Sequence, residues 1–219
     1  MERFWSFKAL GLCFGCILLC LSGSADDWPA PQVRAFFSAS GGYFVRVIPG
    51  SSWGDTIGFA GAPKGLHAKA EFYRREPDES YKQVRVVHLV NPVAPEDCFV
   101  ADRGIVATLD NWHNRGYGKI VALYAPDGSL IRAYELSELF SPQEIEAFSH
   151  SVSSIQWHDN ELFLQPDQKE LYVGLVHPGS GCMFDLKTGS YRCCEQQGKE
   201  YRCRNSNRDR QWVPYSEKK

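Results

Sequence analysis

No apolar run in this 219-residue chain is long enough to cross a bilayer. The longest, "ALGLCFGCILLCL" at 9–21, has 13 residues, against the roughly 20 that a spanning helix needs. Charge of one sign is missing as well, since 24 Lys and Arg stand against 26 Asp and Glu. That balance excludes bulk electrostatic capture by nucleic acid or an anionic membrane, and no nucleic-acid partner is expected. Short signatures of chemistry are also absent. There is no Gly-x-Ser-x-Gly elbow ("HPGSGC" at 177–182 only imitates one), no His-Glu-x-x-His helix, no phosphate-cradling glycine loop, no dinucleotide fingerprint and no EF-hand loop. No two histidines stand three or four apart, so a metal site would have to draw its ligands from distant loops. No cofactor is expected, although a metal held in that way stays open. A hydrolytic carboxylate pair leaves no sequence signature, because its two acids need only meet in space.

What is present starts at the N-terminus. Arg3 and Lys8 precede the apolar run, and "SGSA" at 22–25 follows it. This is the order of a secretory signal peptide, with cleavage expected after Ala25. The mature chain is then expected outside the cytoplasm, secreted or periplasmic, and not membrane-spanning. Cys13, Cys16 and Cys20 leave with that peptide, so Cys13-x-x-Cys16 is not a redox motif. Cys98, Cys182, Cys193, Cys194 and Cys203 remain, and in an oxidising compartment these form disulfides with one thiol left over.

The mature residues fit one domain over 26–198. After it, 199–219 reads as a basic, solvated tail, with Tyr201, Trp212 and Tyr215 interleaved among its charges. Self-comparison of the domain reveals three repeats, at about 34–89, 97–136 and 161–194. Each opens with a short apolar stretch: "RAFF" (34–37), "DCFV" (97–100) or "ELFLQ" (161–165). A polar turn and a β-rich strand follow: "SGGYFVRV" (40–47), "DRGIVATL" (102–109) or "DQKELYVGLV" (167–176). A loop of variable length then leads to a hairpin, turning at Pro77-Asp78-Glu79, Pro126-Asp127-Gly128 or Lys187-Thr188-Gly189. Four short antiparallel strands per repeat are predicted, an all-β fold. One short helix is expected at 141–150, where Ser141 can cap, Pro142 starts the first turn and Glu144 completes a capping box.

"FDLKTGSY" and "YAPDGSLIRAYEL" resemble the outer strand pairs of β-propeller blades in secreted bacterial repeat proteins. The resemblance implies a propeller-like stack of four-stranded sheets, and no defined activity comes with it. A full propeller has at least four blades, and three are found here. A partial propeller, one completed by self-association, and a β-sandwich of similar hairpins all remain open.

In a blade the second-to-third-strand loops and the connections between repeats share one end. That places "DNWHNRGYG" (110–118) there, with Asp110, Trp112, His113, Arg115 and Tyr117. It also places Trp53, Asp55 and His67 of the first repeat's long loop there, together with His150 and His177. His158 is expected near a turn at the opposite end. Loops on a rigid sheet concentrate binding residues, and histidine serves both as ligand and as base near neutral pH. In the 110–118 loop, Asp110, Asn111, Gly116 and Gly118 read mainly as turn-formers, and Trp112 as a cap on the core. His113 and Arg115 help no turn form, which makes them the candidates for chemistry.

The expected function is a non-enzymatic binding or structural module that recognises a protein or carbohydrate through this loop end. The alternative is a secreted hydrolase or metal-dependent enzyme using His and Asp residues at the same end.

The cysteines allow a sharper reading. With a four-residue connection in "CMFDLKTGSYRC", Phe184 faces Tyr191, Met183 faces Arg192 and Cys182 faces Cys193. A cross-strand Cys182–Cys193 bond is predicted. Cys194, on the other sheet face, then joins Cys203, and Cys98 is the remaining thiol.

Overall fold

The computed structural model describes residues 28–197, 200–205 and 213–214. The expected signal peptide at 1–25 lies outside the described residues. Three antiparallel sheets follow one another along the chain. The first is β1 (Arg34–Phe37), β2 (Tyr43–Ile48), β3 (Lys69–Arg75) and β4 (Tyr81–His88), paired in chain order. The second is β5 (Pro95–Val100), β6 (Val106–Asn111), β7 (Lys119–Tyr124) and β8 (Leu130–Glu135). A two-stranded ribbon, β9 (Ser149–His150) with β10 (Ile155–Gln156), precedes the third sheet. That sheet runs β11 (His158–Leu164), β12 (Glu170–Leu175), β13 (Gly181–Asp185), β14 (Tyr191–Gln197), β15 (Glu200–Asn205) and β16 (Val213–Pro214). The fold is all-β and propeller-like, with three blade-type sheets stacked face to face rather than the two layers of a sandwich.

Alternation along the strands decides the stacking. In the first sheet Val45, Val47, Ala70 and Phe72 share one face and bury against Cys98, Val100, Val106, Ala122 and Tyr124 of the second. The second sheet's opposite face, with Ala107, Leu109, Val121 and Leu123, buries against Leu171, Val173, Cys182 and Phe184 of the third. The middle sheet is thus covered on both sides, and every residue of β6 is buried.

The helix expected at 141–150 is present as α2 (Pro142–Ala147), shorter than that range, and a second short helix, α1 (Leu136–Leu139), precedes it. The cap is as expected: the Ser141 hydroxyl accepts the Glu144 N–H at 3.3 Å, and the Glu144 carboxylate accepts the Ser141 N–H at 2.7 Å. The helix stops early because Phe148 turns extended to bury its ring against Phe140. Ser149 and His150 then pair with Gln156 and Ile155 as strand.

Cys182 and Cys193 stand directly opposite and are bonded, with Cα atoms 3.9 Å apart, and Phe184 faces Tyr191 as the register arithmetic requires. Cys194 is bonded to Cys203 with Cα atoms 4.2 Å apart. Cys98 is a buried free thiol, and burial pushes its ionisation far up. The second bond fixes Glu200–Asn205 as a paired strand, so this stretch of the expected solvated tail belongs to the third sheet. Two disulfides are the chemistry of an oxidising, extracytoplasmic setting. Among the described residues no helix is long and apolar enough to cross a membrane.

Candidate active site at the loop end

The 110–118 loop is held in a conformation that few residues adopt. Asp110, His113, Gly116 and Gly118 all have left-handed backbone, with φ of 51°, 65°, 77° and 66°. For Asp110 and His113 that conformation persists only because neighbours over-determine it. The Asp110 side chain accepts the Gly116 N–H at 2.8 Å and the Trp157 indole N–H at 3.1 Å, and contacts His158 Nε2 at 2.8 Å. Asp110, Trp157 and His158 are all essentially fully buried. Asn114 accepts the Ile57 N–H at 2.7 Å and donates to the Ser153 carbonyl at 3.2 Å, which ties the first repeat's long loop to the β9–β10 ribbon. Asn111 donates to the carbonyls of Tyr117 and Lys119. The loop is therefore a clamp between repeats, and most of its residues are architectural.

Arg115 is the exception. Its Nε donates to Glu96 at 3.0 Å, Nη2 donates to the second Glu96 oxygen, and Nη1 donates to Gln156 at 3.0 Å. Among the described residues this commits three of the guanidinium's five N–H groups and leaves two. The Glu96 backbone carbonyl also accepts Arg34 at 2.9 Å. Asp97 follows on the same strand. Burial holds its carboxyl above the usual range, with the neighbouring Glu96 charge adding to the effect and Arg34, His158 and Arg115 opposing it.

Arg115 and Gln156 form part of the wall of an open cleft of about 560 Å³, with Trp28, Ser149, His150, Ser151 and Ser154. His150 Nε2 lies 2.9 Å from the Ile145 carbonyl, which can only accept. The hydrogen therefore sits on Nε2, and Nδ1 is the basic nitrogen of the neutral ring. The Ser154 hydroxyl is buried and, among the described residues, has no hydrogen-bond partner.

The other residues anticipated from sequence share the end but not the cleft. Trp53, Trp112 and His113 pack with Trp28 and Phe59 in one aromatic cluster, with ring centroids 5.1 Å apart for Trp53–Trp112 and 5.2 Å for Phe59–His113. The Trp112 indole donates to the Pro29 carbonyl at 3.0 Å. Asp55 pairs with Lys64 at 2.7 Å, which holds its carboxyl below the usual range, and His67 stands 3.8 Å away. Asp55 and Tyr117 border a second groove, of about 370 Å³. His177 stacks near Phe148 in a small hollow of its own. Asp110 is buried structure.

His158 needs correction. It opens β11 at the loop end rather than lying near the opposite turns, because the third repeat's first strand starts three residues before "ELFLQ". Glu96, Gln156 and Ser154 carried no signal in the sequence, since each belongs to the site only through its spatial partners. Among the described residues no three His, Cys, Asp or Glu converge as a metal-binding group.

No family model matches the chain, and no curated protein matches it. Seven chains of solved structures are similar, two of them as follows. One is the periplasmic gluconolactonase of Pseudomonas aeruginosa, at 11% identity and a TM-score of 0.40, over 83% of this chain and 55% of that one. The other is a putative 6-phosphogluconolactonase from Bacteroides fragilis, at 12% identity and a TM-score of 0.36, with the same two coverages. The chain spans about half the length of either. The expectation of a non-enzymatic binding or structural module is corrected here. Both of these structures bear the names of lactonases, which are hydrolases, and the hydrolase alternative is carried forward.

Proposed function

We propose that the chain is a secreted or periplasmic hydrolase acting on an ester-type carbonyl at the cleft beside the 110–118 loop. The observation that supports this most is the placement of His150 and Arg115 in the wall of one cleft. The neutral His150 ring, with its hydrogen fixed on Nε2, takes the proton of an attacking water through Nδ1. Arg115 is held by Glu96 and Gln156, and its two remaining N–H groups stabilise the oxygen on which negative charge develops. Being pre-oriented, the guanidinium pays little reorganisation as that charge appears. The Ser154 hydroxyl supplies a further polar group for the bound molecule.

The test is hydrolysis of a panel of activated aryl esters and aldonolactones by the mature chain. His150 is exposed, so His150→Ala leaves the fold intact, as circular dichroism checks. Its kcat/KM is expected to fall about 10²–10⁴-fold, the usual contribution of a positioned base. Turnover of no panel member, or equal turnover by wild type and variant, overturns the reading.

A further inference from the structure

Among the described residues, nothing covers the two outer faces of the stack of three sheets. On the first sheet, alternation turns Phe37, Phe44 and Tyr73 away from the second sheet, in register across three strands. Their rings form a row, with centroids 4.9 Å apart for Phe37–Phe44 and 4.4 Å for Phe44–Tyr73, and Tyr81 adds a ring 4.8 Å from Phe44. Phe37 is 58% exposed, and Val86 on the same face is 44% exposed. On the third sheet Phe163, Tyr172 and Met183 lie in register on the face turned away from the second sheet. Phe163 packs at a tilt against Tyr172, with ring centroids 4.9 Å apart, and is 39% exposed. Single exposed apolar residues need no explanation, but rows of packed apolar side chains on both ends of a stack do.

The two faces also differ in charge. The first carries Arg46 and Lys69 around one carboxylate, Glu71. Among the described residues, the third carries Glu170 and Asp185 paired in register, with one cation, Arg192, 3.9 Å from Glu170. A face with excess cation thus matches a face with excess anion, and neither matches itself. The first strands of all three sheets, moreover, border one hollow of about 570 Å³, with Phe36, Phe99 and Leu162 in its wall. The hollow is open to solvent.

From these observations we infer that a second copy of this chain closes the ring. The first sheet of each copy docks on the third sheet of the other, and the open hollows of the two copies face each other across the axis. The symmetry is two-fold and the contact between unlike faces occurs twice. Two copies give six sheets, inside the four to eight that propellers hold, whereas three copies would give nine.

Sedimentation velocity of the mature chain tests this, with circular dichroism confirming that each variant folds. Wild type sediments as a dimer. Phe37→Glu spoils the first face and Phe163→Arg the third, and each alone is a monomer over at least a hundredfold range of concentration below which wild type stays dimeric. Mixing the two variants restores one intact pair of unlike faces, and a dimer containing one of each forms. If Phe37→Glu fails to fold, Val86→Arg replaces it on the same face. A monomeric wild type overturns the inference. So does a dimer of Phe163→Arg alone, which would show first faces pairing with each other. The readout is mass, so the outcome is independent of whether the cleft hydrolyses anything.

Discussion

The second and first sheets have the same four-strand plan and opposite surroundings. Strand β6 (Val106–Asn111) is buried along its whole length, while its counterpart β2 (Tyr43–Ile48) alternates between buried Val45 and Val47 and exposed Arg46. At the outer edge the contrast grows, since nearly all of β4 (Tyr81–His88) faces solvent. The difference shows in the residues themselves. "KIVALY" in β7 is a near-continuous apolar run, as strands covered on both faces require. "KAEFYRR" in β3 mixes charge and apolar side chains, as a strand covered on one face does. Position in the stack, rather than strand plan, therefore sets how much each sheet contributes to stability.

The largest expected effect follows directly. Leu109→Ala removes a fully buried side chain between the second and third sheets and should cost about 2–5 kcal/mol. Val86→Ala on the bare face of the first sheet should cost no more than about 0.5 kcal/mol in the monomer. Urea unfolding of both variants at a concentration where the chain is monomeric measures the pair. Comparable losses would mean that the outer face of the first sheet is covered after all, and the contrast between the sheets would fail.

The second effect lies in the loop that joins these regions. Gly116 has φ 77°, and a Cβ there would meet the Ile155 side chain at 2.7 Å and the Ile155 carbonyl at 2.8 Å. Gly116→Ala should cost about 1–3 kcal/mol through strain and clash together. It should also loosen the β9–β10 ribbon, because the Ile155 N–H donates to the Arg115 carbonyl at 2.9 Å. Amide exchange localises the change. Faster exchange at Ile155 with the first sheet unaffected is the expected pattern, and uniform acceleration across all three sheets would contradict it.

Much of this architecture was legible in the chain itself, because it depends on local rules. The three repeats, the hairpin turns at Asp127-Gly128 and Thr188-Gly189, and the Cys182–Cys193 register all follow from alternation and turn chemistry. The site was legible only in part. Arg115 stood out because it serves no turn, and His150 because the blade plan put it at the loop end. Their partners did not stand out. Glu96 is one acid among 26, and its role appears only when Arg115 reaches it across 19 residues. His158 was misplaced for a related reason. A bulge between His158 and Leu162 hides the start of β11 from a strict alternation, and with it the buried pairing to Asp110. Asp110 looked like a turn-former and is one, yet it also anchors Trp157 and His158 from the third repeat.

The smallest effect tests the electrostatics of the junction between the buried middle sheet and the cleft. Asp97 sits on β5, one residue from Glu96, and burial together with that like charge holds its carboxyl above the ordinary range. The native state therefore keeps a proton on Asp97 at pH values where the unfolded chain, with an ordinary carboxyl near 3.9, has lost it. Asp97 thus supports the fold below its ordinary value, and this contribution is lost as pH rises through the raised one. Asp97→Asn is neutral throughout and does not suffer that loss. Relative to wild type, the variant should gain stability as pH rises from about 4 towards neutrality and then level off. Chemical denaturation of both proteins across that range measures the difference directly. A gap that is flat with pH, or that widens in favour of wild type, would mean that Arg34 and Arg115 outweigh burial and that Asp97 is an ordinary ion-paired carboxylate.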